Sequence, residues 1–311
     1  MQTVKIKTDN GVVRTQERWA GNYLTEEAYD QVISATEDTV IFKPGASLYD
    51  DVPLAYVVCN AYPNSKVIEC LKTIEETTTM RANASGPILE EDMKKKGITE
   101  YKLRSPNSYH VKTKKGEWGM IAYANEIHSV MVGAKRGRFT GKINISNSDK
   151  WKELKDLCFY NEKAFKKADP EIYNRQKKFA EEAIKPEHRH GMITTLSANR
   201  YSSLQSRAMS VHSDGKDVEY TTMCAFRQGD YEGAYLSFPR WGVGLDLPDN
   251  CVCIADSQSL HCVTSIHGSG QRFTTVAYTD RSCATLGNMG KSERLIGRFA
   301  KKESGNLEDF I

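Results

Sequence analysis

His212-Ser213-Asp214, His261 and Arg272 are the residues of this chain whose types and spacing point most directly to chemistry. A His-x-Asp pair on an extended strand sends both side chains to one face, because side chains alternate along a strand. With a second imidazole, two nitrogens and one carboxylate oxygen can hold Fe(II) on one side and leave the opposite positions open. Arg272 supplies the complementary half. Its planar guanidinium fork can meet the far carboxylate of a keto acid such as 2-oxoglutarate with two parallel hydrogen bonds. Fe(II), 2-oxoglutarate and O2 are therefore the cofactor and cosubstrates expected, with His212, Asp214 and His261 as metal ligands at the catalytic centre.

Taken singly, each histidine is more often a hydrogen-bonded strand residue, and Asp214 ahead of Gly215-Lys216-Asp217 is an ordinary turn former. The surrounding pattern favours the set. His212 closes a strand-like run at 207–211, 259–263 alternates apolar and polar residues, and 272–278 reads as a further strand. His267-Gly268-Ser269-Gly270 reads as the turn joining the last two, which would pair their strands and put His261 and Arg272 at opposite depths of one pocket.

The elements that must position these residues change character near Pro186. Before it, apolar spacing predicts helices at 65–80, 148–168 and 170–184, the last with Pro170 in its first turn. After it, strand candidates follow at 192–199, 207–212, 219–226, 234–238, 243–247, 251–255, 259–263 and 272–278. Such a run of short strands fits a double-stranded β-helix, or jelly roll, whose two sheets enclose a cavity. The expected fold class is α+β, with a mixed helical and β region over 1–185 supporting the core, the jelly-roll core over 186–281, and a C-terminal helix and tail over 282–311.

Composition sets outer limits. With 311 residues, 39% of them hydrophobic and 27% charged, the chain can bury a large core. No apolar run approaches the roughly 18 residues of a membrane span, and residues 1–5 carry no signal-peptide core. A soluble, intracellular protein is expected, nuclear if its source is eukaryotic, with no membrane association and no protein partner evident. The eight cysteines form no CxxC pair, which argues against a zinc knuckle and a secreted disulfide framework.

A net charge of +3 does not by itself argue for nucleic acid, but its distribution is uneven. Residues 101–116 hold Lys102, Arg104, Lys112, Lys114 and Lys115 without an acid, and 127–148 hold Lys135, Arg136, Arg138 and Lys142 around three glycines. Such runs can be solvated loops, or they can neutralise phosphates, with Tyr109, Trp118, Phe139 or Tyr201 available to stack on a base.

The stretch 212–217, the run Phe226-Arg-Gln-Gly-Asp-Tyr-Glu-Gly-Ala-Tyr-Leu-Ser-Phe-Pro239, the segment Leu245-Asp-Leu-Pro-Asp-Asn-Cys251, then His261 and Gln271-Arg272-Phe273, resemble the catalytic core of the TET/JBP dioxygenases. The resemblance spans roughly 194–280. It implies Fe(II)- and 2-oxoglutarate-dependent oxidation of the methyl group of 5-methylcytosine or thymine, with DNA containing 5-methylcytosine as the partner. It also implies His212, Asp214 and His261 as ligands, Arg272 and Arg207 as cosubstrate contacts, and Asp217 as acceptor from the cytosine amine. Asn199 and Asp280 are further candidates to touch the base or its backbone, and Lys135, Arg136 and Arg138 to hold phosphates. The cysteine-rich zinc modules of vertebrate members have no counterpart here, so the chain resembles the compact protist, fungal, algal or viral branch, in which one algal relative uses ascorbate for a related modification of 5-methylcytosine. Two other expectations stay open: a 2-oxoglutarate oxygenase that hydroxylates a protein side chain or small molecule, and a jelly-roll binding module with a vestigial iron site.

Overall fold

Alternation along the strands of one large sheet organises the structure, because both faces of that sheet are covered. The computed structural model describes residues 1–6, 29–44, 52–83, 98–105, 108–113, 118–121, 125–136, 143–146, 149, 152, 154–202 and 209–284. The described elements begin with β1 (Gln2–Lys5), β2 (Gln31–Ser34), β3 (Thr39–Phe42), β4 (Pro53–Cys59) and α1 (Asn64–Thr77). Next come β5 (Thr79–Asn83), β6 (Ile98–Ser105), β7 (Ser108–Thr113), β8 (Trp118–Ile121), β9 (Asn125–Arg136) and β10 (Ile143–Ser146), then α2 (Leu157–Ala168) and α3 (Pro170–Ala183). The remaining strands are β11 (Thr195–Ser202), β12 (Met209–His212), β13 (Tyr220–Gln228), β14 (Tyr231–Gly233), β15 (Leu236–Phe238), β16 (Val243–Asp246), β17 (Cys251–Asp256), β18 (His261–Val263), β19 (Ile266–Gly268) and β20 (Gln271–Tyr278).

The large sheet runs β1-β3-β4-β17-β13-β20-β11-β9-β10, with β5 also on β9, and a smaller one runs β12-β18-β15-β16-β2. On β13, Tyr220, Cys224 and Phe226 pack toward the helices, while Met223 and Ala225 pack toward the smaller sheet. β17 repeats the pattern, with Val252 and Ile254 on the helix side and Cys251 and Cys253 between the sheets. Two facing sheets that do not close, backed by a helical layer on one side, make an α+β double-stranded β-helix.

The helices dock by their own apolar stripes. On α2, Leu157, Cys158, Asn161, Ala164 and Phe165 are buried at helical spacing, and on α3 Tyr173, Gln176, Phe179, Ala180 and Ala183 are. The buried amides on these stripes meet the sheet rather than water. Gln176 donates to the Tyr220 carbonyl at 3.0 Å and accepts from its N–H at 3.1 Å, while Asn161 donates to Thr222 Oγ1 at 3.2 Å.

All eight strands expected after Pro186 are present, with two three-residue strands, β14 and β19, added. Pairing also crosses that point in the chain: β1, β3, β4, β5, β9 and β10 join the large sheet and β2 the smaller one, so residues 1–185 build much of the sandwich instead of only supporting it. Helix α1 ends at Thr77, earlier than the expected 80, because Thr79–Asn83 is drawn into pairing with β9. The helix expected over 148–168 is broken by a turn at 155–156: residues 149, 152 and 154 are helical before it, and α2 starts at Leu157 after it. The tail expected beyond 284 lies outside the described residues. Among the described residues no helix is long and apolar enough to cross a membrane.

Asp169 joins α3 to the sheet. One carboxylate oxygen caps the helix, accepting from the Ile172 N–H at 2.9 Å, and the other accepts from the Tyr56 hydroxyl of β4 at 2.6 Å. Replacing it removes a cap and strands a hydroxyl. Asp169→Ala is expected to lower stability by about 2 kcal/mol, read as a drop in the urea midpoint without a change in slope.

Candidate metal and cosubstrate site

The metal candidates converge through strand register. His212 ends β12 and His261 begins β18, and the two are direct partners across this antiparallel pair, with ring centroids 4.5 Å apart. Asp214 follows in the turn, where its N–H donates to the Ser257 carbonyl at 2.9 Å. Its Oδ2 lies 3.5 Å from His261 Nε2, and one donor atom from each of the three residues lies within 4.8 Å of the others. A bound divalent ion with bonds of about 2.1 Å would draw such atoms to roughly 3 Å of one another, a small adjustment. His261 Nδ1 lies 2.9 Å from the Ser259 carbonyl and donates to it, so Nε2 is the nitrogen facing Asp214 and the site, where it carries a proton toward the carboxylate or, once that proton leaves, offers a lone pair to an ion.

Burial alone would raise the Asp214 carboxyl, yet the His261 hydrogen bond and the charges of the two imidazoles hold it below the usual carboxylate range. Burial would likewise lower His261, and the Asp214 carboxylate outweighs it, leaving that imidazole above its ordinary value. The carboxylate thus attracts positive charge to this spot, and a metal ion would take the place of the imidazole proton.

Behind the triad, a cavity of about 560 Å³ opens between the sheets. Period-two alternation on β20 turns Arg272, Thr274, Val276 and Tyr278 into it, and β11 contributes Ser197, Asn199 and Tyr201. Arg272 is 2% exposed and is the register partner of Tyr201. Its Nη1 donates to the Ala234 carbonyl and its Nη2 sits 3.6 Å from Met223 Sδ, while its buried Nε has no hydrogen-bond partner among the described residues. A buried guanidinium with an unused donor is costly unless an anion completes it. Tyr201 is pushed up to about 12 by burial, with Arg272 pulling the other way, so its hydroxyl keeps its proton and can donate. A dicarboxylate with one end at the triad and the other at Arg272 fits this donor set.

His261 and Arg272 do share the cavity, but not as neighbours on paired strands as the sequence suggested. β18 pairs with β12 and β15 in the smaller sheet, β20 pairs with β11 and β13 in the large one, and the expected turn at 267–270 is partly taken up by β19, which pairs with β14. The two residues face each other from opposite walls.

The other candidates divide. Asp217 lines the same cavity at 4% exposure, accepting from Thr221 Oγ1 at 2.7 Å. Burial first, then the charges of Asp214 and Asp280, push its carboxyl up to about 8. A carboxyl raised this far holds its proton at pH 7 in the metal-free protein and can both donate and accept; a nearby divalent ion would lower it again. Asn199 is buried on the cavity wall, 3.4 Å from Ser197 Oγ. Asp280 also lines the cavity, but its carboxylate caps the following turn through the Ser282 N–H at 2.8 Å, a structural duty. Lys135 and Arg136 lie on β9 opposite Asn144 and Ile143. Arg207, Arg138 and Phe139 lie outside the described residues. In the other basic run, Lys112 pairs with Glu100 at 3.2 Å within a separate three-stranded sheet, β6-β7-β8, which also carries Tyr109 and Trp118. Sequence reasoning passed over the turn Asp256-Ser257-Gln258-Ser259, whose Asp and Ser residues were its only signal.

No family model matches the sequence, and no curated protein is similar to it by sequence. Among solved structures, NgTET1 in complex with 5mC DNA aligns over 85% of this chain and 90% of its own at 11% identity, with a TM-score of 0.52. An oxidoreductase of the 2OG-Fe(II) oxygenase family from Burkholderia pseudomallei aligns over 75% of this chain and 88% of its own at 9% identity and a TM-score of 0.44. At such identities the first likeness establishes the fold that the strand order already describes, a double-stranded β-helix.

If the triad holds an ion, Co(II) added to the metal-free protein should bind and develop visible absorption. His212→Ala is expected to weaken that binding by about 100-fold or more, since only two protein ligands remain.

Proposed function

We propose that this protein is an Fe(II)- and 2-oxoglutarate-dependent dioxygenase that oxidises the methyl group of 5-methylcytosine, or of thymine, in DNA. The observation that carries the reading is a single cavity holding the His212–Asp214–His261 triad on one wall and the buried, incompletely bonded Arg272 on the other. Fe(II) with 2-oxoglutarate and O2 supplies an oxidant strong enough for a methyl C–H bond, and positioning is what the protein adds. His212, Asp214 and His261 would hold the iron. Arg272, with the protonated Tyr201 beside it, would hold the distal carboxylate of 2-oxoglutarate. The cavity walls shield Arg272 from bulk water, whereas the triad opens toward solvent at Asp214, whose side chain is 43% exposed.

Four further observations support a nucleic-acid base as substrate. The sequence run from His212 to Pro239 resembles TET/JBP enzymes, and the fold is shared with a protein solved in complex with 5mC DNA. Asp217 sits in the cavity beside the triad and can bond to the edge of a base. Lys135 and Arg136 extend β9 past the partner of Thr195, toward the sheet end that carries Tyr278 and Asp280. A methyl group within a stacked duplex is out of reach of such a cavity, so the base would enter it flipped, with phosphates on the basic strand end.

The test is mass spectrometry of nucleosides after incubating the protein with Fe(II), 2-oxoglutarate and 5-methylcytosine-containing DNA. Oxidised 5-methylcytosine with matching succinate is expected, and Arg272→Met should lower 2-oxoglutarate turnover by roughly 100-fold through loss of a charge-assisted, two-point contact. Succinate formed on a peptide or small molecule, with methylated and thymine-containing DNA left unchanged, would keep the oxygenase and overturn its substrate. No turnover of 2-oxoglutarate with any of them would overturn both.

A further inference from the structure

We propose that Asp256, braced by Lys43, is a positioning residue for the metal site, acting through the turn that follows β17; the inference rests on the metal reading above and extends it to residues outside the triad. The turn has little apolar surface with which to define its shape. One buried carboxylate defines it instead. Asp256 Oδ1 accepts from the N–H groups of Gln258 at 2.9 Å and Ser259 at 3.3 Å, and Oδ2 accepts from Ser259 Oγ at 2.8 Å. The Lys43 ammonium donates to the same Oδ2, and Lys43 is itself fixed by its N–H on the Val52 carbonyl at 2.9 Å.

What the shaped turn presents is specific. The Ser257 carbonyl accepts from the Asp214 N–H at 2.9 Å, the Gln258 amide donates to the Asp217 carbonyl at 2.6 Å, and the Ser259 carbonyl meets His261 Nδ1 at 2.9 Å. Three consecutive residues therefore each hold one residue of the site, two of them proposed ligands. The bond to His261 matters most, because it selects the tautomer and aims Nε2 toward Asp214. Outer partners of metal-bound imidazoles act in this way, and their loss typically weakens metal binding by about 10–100-fold. An Asp that merely initiates a turn would affect stability and leave metal affinity alone.

That difference separates the two roles experimentally. Asp256→Asn keeps one carbonyl oxygen for the backbone N–H groups, but puts an amide donor where Ser259 Oγ and Lys43 need an acceptor. Co(II) titration of the full chain, followed by visible absorption, is expected to show about 10–100-fold weaker binding in Asp256→Asn. Lys43→Met should move in the same direction and Lys43→Arg should restore binding, which keeps the test decisive if the Asp256 variant fails to fold. Asp169→Ala, which loses stability through a helix cap and the Tyr56 hydroxyl rather than through a hydrogen bond to the turn, should bind Co(II) as the wild type does. The proposal is overturned if Asp256→Asn and Lys43→Met stay within about threefold of wild type, or if Asp169→Ala weakens binding as much as they do. Wild-type protein that binds no Co(II) would instead overturn the metal reading itself, and this inference with it.

Discussion

Burial of the large sheet on both faces is the constraint on which the remainder of the structure depends. With helices on one side and a second sheet on the other, each step along β13, β17 or β20 moves a side chain from one interior to another, and neither tolerates a slip. A shift of one residue on β20 would send Arg272 into the helix-facing core beside Phe226 and bring Phe273 into the cavity. The same shift would place Thr274 and Val276 against the helices and Thr275 and Ala277 in the cavity. Register therefore sets the core and the site together.

The space between the sheets is divided by chemistry. Toward one side Ile41, Leu54, Val57, Leu236, Phe238, Leu245 and Cys253 fill it. Toward the other, Ser197, Asn199, Thr274, Arg272 and Asp217 line a cavity. Closing that cavity with apolar side chains would favour stability, since buried polar groups are retained only against a desolvation penalty. Leu236 and Phe238 belong to both halves, and the Phe238 ring lies 6.2 Å from that of His261, so the apolar core forms one wall of the metal site.

How legible this was in the sequence differed by the range of the interaction. His212, Asp214, His261 and Arg272 stood out because chemistry of this kind needs particular side chains at period-two positions, and the strands carrying them have local alternation that survives inspection. The strands of the N-terminal half did not stand out. β3 and β4 are short and largely apolar because both faces are buried, and such runs carry no alternation to separate strand from helix. β1 pairs in parallel with β3, and β2 with β16, contacts that no local pattern announces. The hairpin expected between His261 and Arg272 failed for a related reason. Nearness in sequence was read as pairing, whereas the chain crosses from one sheet to the other between them and forms β19 with β14 on the way.

The protonation of the site follows from the same architecture. Burial first, then the charges of Asp214 and Asp280, bear on Asp217, and a buried carboxyl beside like charges favours its protonated form. Asp214 keeps its charge because two imidazoles face it. Asp217, the most enclosed, meets a single hydroxyl and takes up a proton. A divalent ion at the triad would change this balance by adding positive charge where Asp214 now draws an imidazolium. Metal binding and the hydrogen-bonding character of Asp217 are thus coupled: an ion at His212, Asp214 and His261 would turn the neighbouring acid toward a carboxylate that only accepts.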